Sequence, residues 1–319
     1  MIAALVALAG ALVYGSADFL GGLAARRLRS IVVTAVAAAS GLVALLALTP
    51  FVGGAWLPAD VLWGALSGVL GVVAIVLLYA CLAVGPMSIL SPLTAVITAV
   101  APMSWGLLVQ GEAFSPLGYV GLAVALVAVI LVGFIPGEKV VRPSTRGLLM
   151  AVGAGTTLGA FLIALDQTSA TSGLVPLVVN RATNTAITAM AVVALVVLAR
   201  RRGVSAADAL VPAGARVGAA PSGHIDLEHA STGPVPSPVG PRVSPWWLAV
   251  GCGVLDVAAN AAALFALRAG DLAVVSALTA LYPAGTILLA AVVLRERVAV
   301  VQWVGLVLAL AAGGLLAVG

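Results

Sequence analysis

Residues 85–126, GPMSILSPLTAVITAVAPMSWGLLVQGEAFSPLGYVGLAVAL, read like residues 270–310, GDLAVVSALTALYPAGTILLAAVVLRERVAVVQWVGLVLAL, and both stretches are sequence that a bilayer accepts. Gly85, Ser91, Leu93, Thr94 and Ala95 recur 185 positions later as Gly270, Ser276, Leu278, Thr279 and Ala280. After a one-residue deletion, Glu112, Val120, Gly121, Leu122, Ala125 and Leu126 recur 184 positions later as Glu296, Val304, Gly305, Leu306, Ala309 and Leu310. Duplicated halves in a chain of many apolar segments are the sequence mark of secondary transporters, whose binding site lies between the repeats near the middle of the membrane.

The chain is 63% hydrophobic and only 8% charged, with a mean hydropathy of +1.23. Soluble domains carry about 25% charged residues, so this is the composition of an integral membrane protein. The net charge of +4 does not point to nucleic acid, because the basic residues sit in short clusters between apolar runs, where they set topology. Residues 2–23 have no basic stretch before them, and Asp18 interrupts them ahead of any small-residue cleavage site. They read as a retained first span and not as a signal peptide. Cys81 and Cys252 fall inside apolar segments and are not repeat equivalents, which speaks against a disulfide framework. With no CxxC or HExxH spacing, and with His224 and His229 both in one polar linker, the sequence implies neither a metal site nor a cofactor.

A helix needs about 20 mostly apolar residues to cross the hydrocarbon. Ten such runs occur, at 2–23, 32–49, 61–82, 87–109, 117–134, 147–165, 174–199, 246–267, 272–294 and 300–318. Their length and the near absence of two-residue alternation exclude a barrel and leave helices as the way to satisfy the backbone in lipid. The fold expected is therefore an all-α integral membrane protein of ten transmembrane helices. Residues 1–134 form the first five-helix repeat, 135–146 a connector, and 147–319 the second repeat. Because five is odd, the second repeat enters the membrane from the opposite side, which makes the two halves inverted repeats. Residues 200–245, opening with Arg200, Arg201 and Arg202 and rich in Pro, Gly and Ser, read as a disordered cytoplasmic loop within the second repeat. Thirteen of the 15 basic residues lie in odd-numbered loops, while Arg268 alone lies in an even-numbered one and Arg181 within a span. Read by the positive-inside rule, this bias puts both termini outside.

Each half ends in a helix with small polar residues, an acidic residue at its end (Gly111-Glu112; Arg295-Glu296), and a last Gly-containing helix (Tyr119-Val120-Gly121-Leu122; Trp303-Val304-Gly305-Leu306). With ten spans in a five-and-five repeat, the chain resembles the ten-helix EamA-type branch of the drug/metabolite transporter superfamily over nearly its whole length outside 200–245. The resemblance implies export or uptake of small metabolites by alternating access without an ATP-binding module, and no GxxxxGK[ST] stretch is present. It also implies cytoplasmic termini, the reverse of the charge reading. Members of the branch commonly carry an Arg in the second helix of a repeat; Arg181 matches this in the second half, whereas Val36 to Ala39 in the first half are apolar.

A charged side chain at mid-bilayer costs about 3 kcal/mol, so each one needs a reason. Asp256 stands nearest the centre of its span, with Asn260 one turn further on the same face, placed to bond the carboxyl or a solute. At that depth Asp256 is a candidate proton carrier, or a carboxyl that joins helices. Asp18, with Tyr14 one turn earlier on its face, is a second candidate for substrate binding or coupling, and it can equally pair with Arg26 or Arg27. Arg181, flanked by Asn180 and Asn184, can grip a carboxylate or phosphate in two places or pair with Asp166 at the end of the preceding helix. Glu112 and Glu296, at helix ends, are expected to gate or to support structure. Pro92, Pro102 and Pro283 are expected to kink their helices. Ser91, Thr94, Ser276 and Thr279 are expected to serve close helix contact.

These residues point to a secondary transporter of a small organic metabolite or drug-like solute across the cytoplasmic membrane, coupled to protons or exchanging. A lipid flippase or a membrane scaffold is the alternative. An intramembrane enzyme is less favoured, since the spans contain no histidine. The partners implied are a small-molecule substrate, protons and the bilayer, with no nucleic acid. A monomer suffices, because the inverted partner is already fused, and a dimer stays open.

Overall fold

Helices begin where the sequence supplies a residue whose missing N–H costs nothing, or a side chain that caps. Pro58, Pro116 and Pro245 open three helices. Ser144 opens another by accepting a hydrogen bond from Gly147 N. In the computed structural model the helices are α1 (Ile2–Ala25), α2 (Ser30–Val52), α3 (Pro58–Val84), α4 (Met87–Leu108), α5 (Pro116–Gly133), α6 (Thr145–Asp166), α7 (Val175–Arg201), α8 (Pro245–Ala269), α9 (Leu272–Thr279), α10 (Pro283–Val293) and α11 (Val300–Val318). The structure describes residues 1–25, 27–84, 87–133, 144–203, 205, 209–210, 243–293 and 298–318, without the side chains of 79–89, 91 and 92. Most of the expected connector and of the 200–245 loop therefore lies outside the described residues. Among the described residues nine stretches, counting α9 with α10 as one, are long and apolar enough to cross a membrane, and α4 adds the shorter apolar run Leu93–Leu108. The chain is a multi-pass membrane protein, all-helical over the described residues and consistent with the ten spans expected.

One crossing is broken. Residues 272–294 were expected as a single helix, but α9 ends at Thr279 and α10 starts at Pro283. Pro283 has no N–H to donate back, and the backbone tightens around it. Leu281 N bonds Leu278 O at 3.1 Å, Tyr282 N bonds Thr279 O at 3.1 Å and Ala284 N bonds Leu281 O at 2.9 Å, all at three-residue spacing. By contrast Pro102, also expected to kink its helix, lies within a continuous α4, as does Pro92.

The helices pack in pairs related by a pseudo-two-fold axis. α1 lies along α8, and its counterpart α6 lies along α3; α2 packs on α7 and α8, and α7 on α2 and α3; α5 lies on its own counterpart α11. Likewise α1 packs on α9 and α10 as α6 packs on α4. Each half thus buries its helices mainly against the other half. Two close approaches fix the register. A Cβ on Gly68 would stand 2.7 Å from Asn180 O, and one on Gly253, 185 positions on, would overlap Ala37 O. Gly68 and Gly253 are therefore mates across the axis, and so are Ala37 and Asn180. Stepping along the same helices pairs Ala38 with Arg181, Gly41 with Asn184, Gly71 with Asp256 and Ile75 with Asn260.

Candidate functional site

A cavity of about 140 Å³ opens between the halves. Its polar side is built by α7 and α8. Arg181 and Asn184 lie on one face of α7 because they are three residues apart, and Asp256 and Asn260 lie on one face of α8 because they are four apart. All four line the cavity with Tyr14 of α1.

These side chains form one hydrogen-bonded chain across three helices. Tyr14 Oη donates to Asn260 Oδ1 at 2.7 Å. Asn260 Nδ2 donates to the Asp256 backbone oxygen at 2.7 Å and to its Oδ2 at 3.3 Å. Arg181 Nη2 donates to the same Oδ2 and forms an ion pair with it. Both partners of the pair keep a small exposure, 11% for Arg181 and 18% for Asp256. Beside them Asn180 donates to Ser67 Oγ at 2.8 Å. Asn184 and Thr279 also line the cavity, each 7% exposed, while their side-chain oxygens Asn184 Oδ1 and Thr279 Oγ1 are buried and have no hydrogen-bond partner. Buried polar atoms are nearly always paired, so these two are exceptions in the packing beside the cavity.

Of the residues singled out in the sequence, the structure brings together Tyr14, Arg181, Asn184, Asp256 and Asn260. Arg181 was left open between a ligand and Asp166, and its partner is Asp256. Asp166 instead accepts from Gln110 at 2.5 Å and from Gln167 at 3.3 Å. Asp18 is buried at 2% exposure, one turn past Tyr14, and does not line the cavity. Of its suggested partners, Arg26 lies outside the described residues, and Arg27 donates to Val243 O at 3.5 Å. Pro283 opens α10 beside the cavity-lining Tyr282. Thr279, expected only to support helix contact, stands on the cavity wall, whereas Thr94 bonds Leu90 O at 2.9 Å inside the packing.

Glu112 lies away from the cavity, between α4 and α5. Its Oε1 accepts from Leu272 N at 2.6 Å and its Oε2 from Ala273 N at 3.0 Å, so a first-half carboxylate caps the second-half helix α9. Gly106 leaves the room for it, since a Cβ there would meet the carboxylate. Burial raises the Glu112 pKa above its ordinary value, opposed by the two amide bonds. Its repeat mate Glu296 lies outside the described residues.

Two features escaped the sequence reading. Tyr282 was passed over, although an aromatic residue directly before a proline in mid-span marks a break. Asp60, near the start of α3, accepts from Ser169 N at 3.2 Å, from Ser169 Oγ at 2.7 Å and from Ser172 Oγ, and so ties α3 to the α6–α7 turn. Among the described residues no group of three or more His, Cys, Asp or Glu stands together to hold a metal ion.

A family model, the EamA-like transporter family, matches residues 145–318, from α6 to α11. A crystal structure of another protein superposes on the chain with a TM-score of 0.61 at 15% identity, over 99% of this chain and 98% of that one, a likeness of fold alone. No curated protein matches the chain in sequence.

Proposed function

We propose, on the premise that this chain belongs to the EamA-like transporter family, that it is a secondary transporter moving a small organic metabolite or drug-like solute across the cytoplasmic membrane by alternating access. The observation that carries this reading is the cavity between the halves with the Arg181–Asp256 pair on its wall. A buried ion pair is a poor source of stability, because desolvation offsets most of the attraction. It suits a site whose charges change partner. When Asp256 takes a proton, or when a polar group of the solute replaces Arg181 on it, the guanidinium is released to the solute. Meanwhile Asn260, bonded to the Asp256 backbone, keeps the carboxyl aimed at the cavity. Access then changes as one set of helices rocks against its mates. Glu112, which holds the α4–α5 turn to the start of α9, is placed to gate one face.

Reconstituted protein with a labelled solute panel, under an imposed pH gradient, tests the reading. Asp256→Asn is expected to abolish gradient-driven accumulation while wild type accumulates at least one solute. Undiminished flux in that variant, at equal abundance in the vesicles, removes Asp256 from the mechanism. Lipid scrambling without saturable solute flux favours the flippase.

A further inference from the structure

An acid in the first turn of a helix ordinarily serves the N-terminus of that helix. Asp60, in the first turn of α3 and only 3% exposed, turns its carboxylate to the other half of the protein instead. It accepts from Ser169 N at 3.2 Å, from Ser169 Oγ at 2.7 Å and from Ser172 Oγ, all three in the α6–α7 turn. Arg268 of α8 holds the same turn, with Nη2 donating to Ser169 O at 3.1 Å. Beside the carboxylate the halves meet backbone to backbone. Ala55 N donates to Thr171 O at 3.0 Å. A Cβ on Gly54 would overlap Ser172 O, and one on Gly173 would stand 2.6 Å from Gly53 O. Both glycines also sit at positive φ, 143° and 52°, where a side chain is strained. The contact continues inward. A Cβ on Gly64 would stand 2.6 Å from Pro176 O and one on Gly68 2.7 Å from Asn180 O, so α3 and α7 stay in backbone contact. A Cβ on Gly71 would meet only Asn184 Nδ2, at 3.8 Å, and there the cavity begins, about 16 Å along α3 from Asp60.

The inverted repeat builds this junction a second time on the opposite face. There the α1–α2 turn takes the place of the α6–α7 turn, and the approach to α8 takes the place of the α2–α3 turn. The backbone bond has an analogue, Arg29 N to Leu210 O at 3.0 Å, and Arg27 Nη1 donates to Val243 O at 3.5 Å. The carboxylate has none at the mated position, because the residue 185 positions after Asp60 is Pro245. We infer that Asp60, with Ser169 and Ser172, is a latch that holds shut the face carrying the α2–α3 and α6–α7 turns, so that the protein rests closed there and opens that face only when the carboxylate lets go. This rests on the alternating-access reading above. Glu112 and Gln110 tie the same face at the start of α9 and the end of α6. Releasing Asp60 therefore shifts the balance of states and does not abolish the closed one.

The test measures distances between nitroxides by double electron–electron resonance, with the full chain in nanodiscs and in a Cys81→Ala, Cys252→Ala background. One pair, at the exposed Trp56→Cys and Ala170→Cys, spans the latched face. A second, at Ser30→Cys and Trp247→Cys, spans the opposite one. Asp60→Ala is expected to raise the population in which the first pair is longer by about 5 Å or more, the scale of a one-turn displacement. The rise should be about tenfold or more, the factor that losing a hydrogen bond to a charged group gives. The second pair should not broaden. Ser169→Ala with Ser172→Ala keeps the carboxylate and removes two of its donors, so it should shift the same pair in the same direction, and it decides alone if Asp60→Ala does not fold. No rise in the long population, or equal broadening of both pairs, overturns the latch, the second because it marks general loosening. The readout needs no solute. A shift without flux of any labelled solute leaves the latch standing and removes the transport reading, whereas flux without a shift removes the latch alone.

Discussion

Breaking the Arg181–Asp256 pair from one side should cost far more than removing it whole. Both side chains are largely buried, so Asp256→Asn leaves a guanidinium without its counter-charge, and Arg181→Met leaves a carboxylate. Losing one partner of a buried pair costs about 3–5 kcal/mol. The residual exposure of both groups to the cavity puts the expected value at about 3 kcal/mol, a factor of more than about 100 in the folding equilibrium. The double variant Arg181→Met, Asp256→Leu has no orphaned charge and should lie within about 1 kcal/mol of wild type, so the coupling energy is expected to be about 5 kcal/mol or more. Reversible unfolding in mixed micelles of increasing SDS fraction, with all four proteins in one detergent, measures it. Coupling below about 0.5 kcal/mol, with single costs that simply add, would refute the argument that the pair is desolvated and mutually dependent. Transport adds an independent readout. The double variant should be as stable as wild type and inactive, which separates the role of the pair in the fold from its role in the cavity.

Tyr14→Phe removes the 2.7 Å bond to Asn260 and leaves a buried amide oxygen unpaired, so a loss of about 1–3 kcal/mol is expected in the same unfolding assay. Glu112→Ala uncaps α9 and should cost about 1–2 kcal/mol. Burial raises the folded pKa of Glu112 above its ordinary value near 4.5, so the native protein binds this proton more tightly than the unfolded chain does. The contribution is fully present below that ordinary value and is lost as pH rises through the folded value; Glu112→Gln should flatten this part of a midpoint-against-pH curve. Gly15→Ala puts a Cβ 2.6 Å from Thr286 N on α10 and should destabilise by about 1–3 kcal/mol, whereas Gly314→Ala meets nothing within 4 Å and should be neutral or slightly stabilising; their unfolding midpoints decide between them.

What the sequence made legible is what hydropathy and self-similarity encode. The ten crossings follow from run length, and the repeat offset of 185 positions already pairs Gly71 with Asp256 and Gly68 with Gly253, the mates that the helix contacts show. A kink at Pro283 was legible from the proline itself, but a full break at 280–282 was not, because a hydropathy window averages over Leu281-Tyr282-Pro283 and returns one span. The ion pair was hidden for another reason. Arg181 and Asp256 each stood out by the cost of burying a charge, but the sequence holds no record of which helix faces which. The sequence placed the mate of Arg181 only within Val36 to Ala39, with no shared residue to align, and Asn180 and Ala37 meeting equivalent glycines fix it as Ala38. Glu112 was read as a helix-end residue, and its bond to α9 across the halves needed the interleaved packing.

The divergence of the mates has a physical cause in the size of the space they share. If the first half had kept or gained an Arg at Ala38 and an acid at Gly71, four charges would line a cavity of about 140 Å³. Each ion taken from water costs several kcal/mol that only its own partner returns, and with two pairs side by side every charge also meets a like charge and an alternative partner. One pair has one way to form and one way to exchange with a proton or a ligand; two pairs have several, and the site loses its orientation. A duplicated scaffold therefore gains a directional site by leaving the mates of its ion pair, Ala38 and Gly71, uncharged. On this argument Ala38→Arg with Gly71→Asp should lower both stability and flux, even though each new residue copies what its own mate already carries.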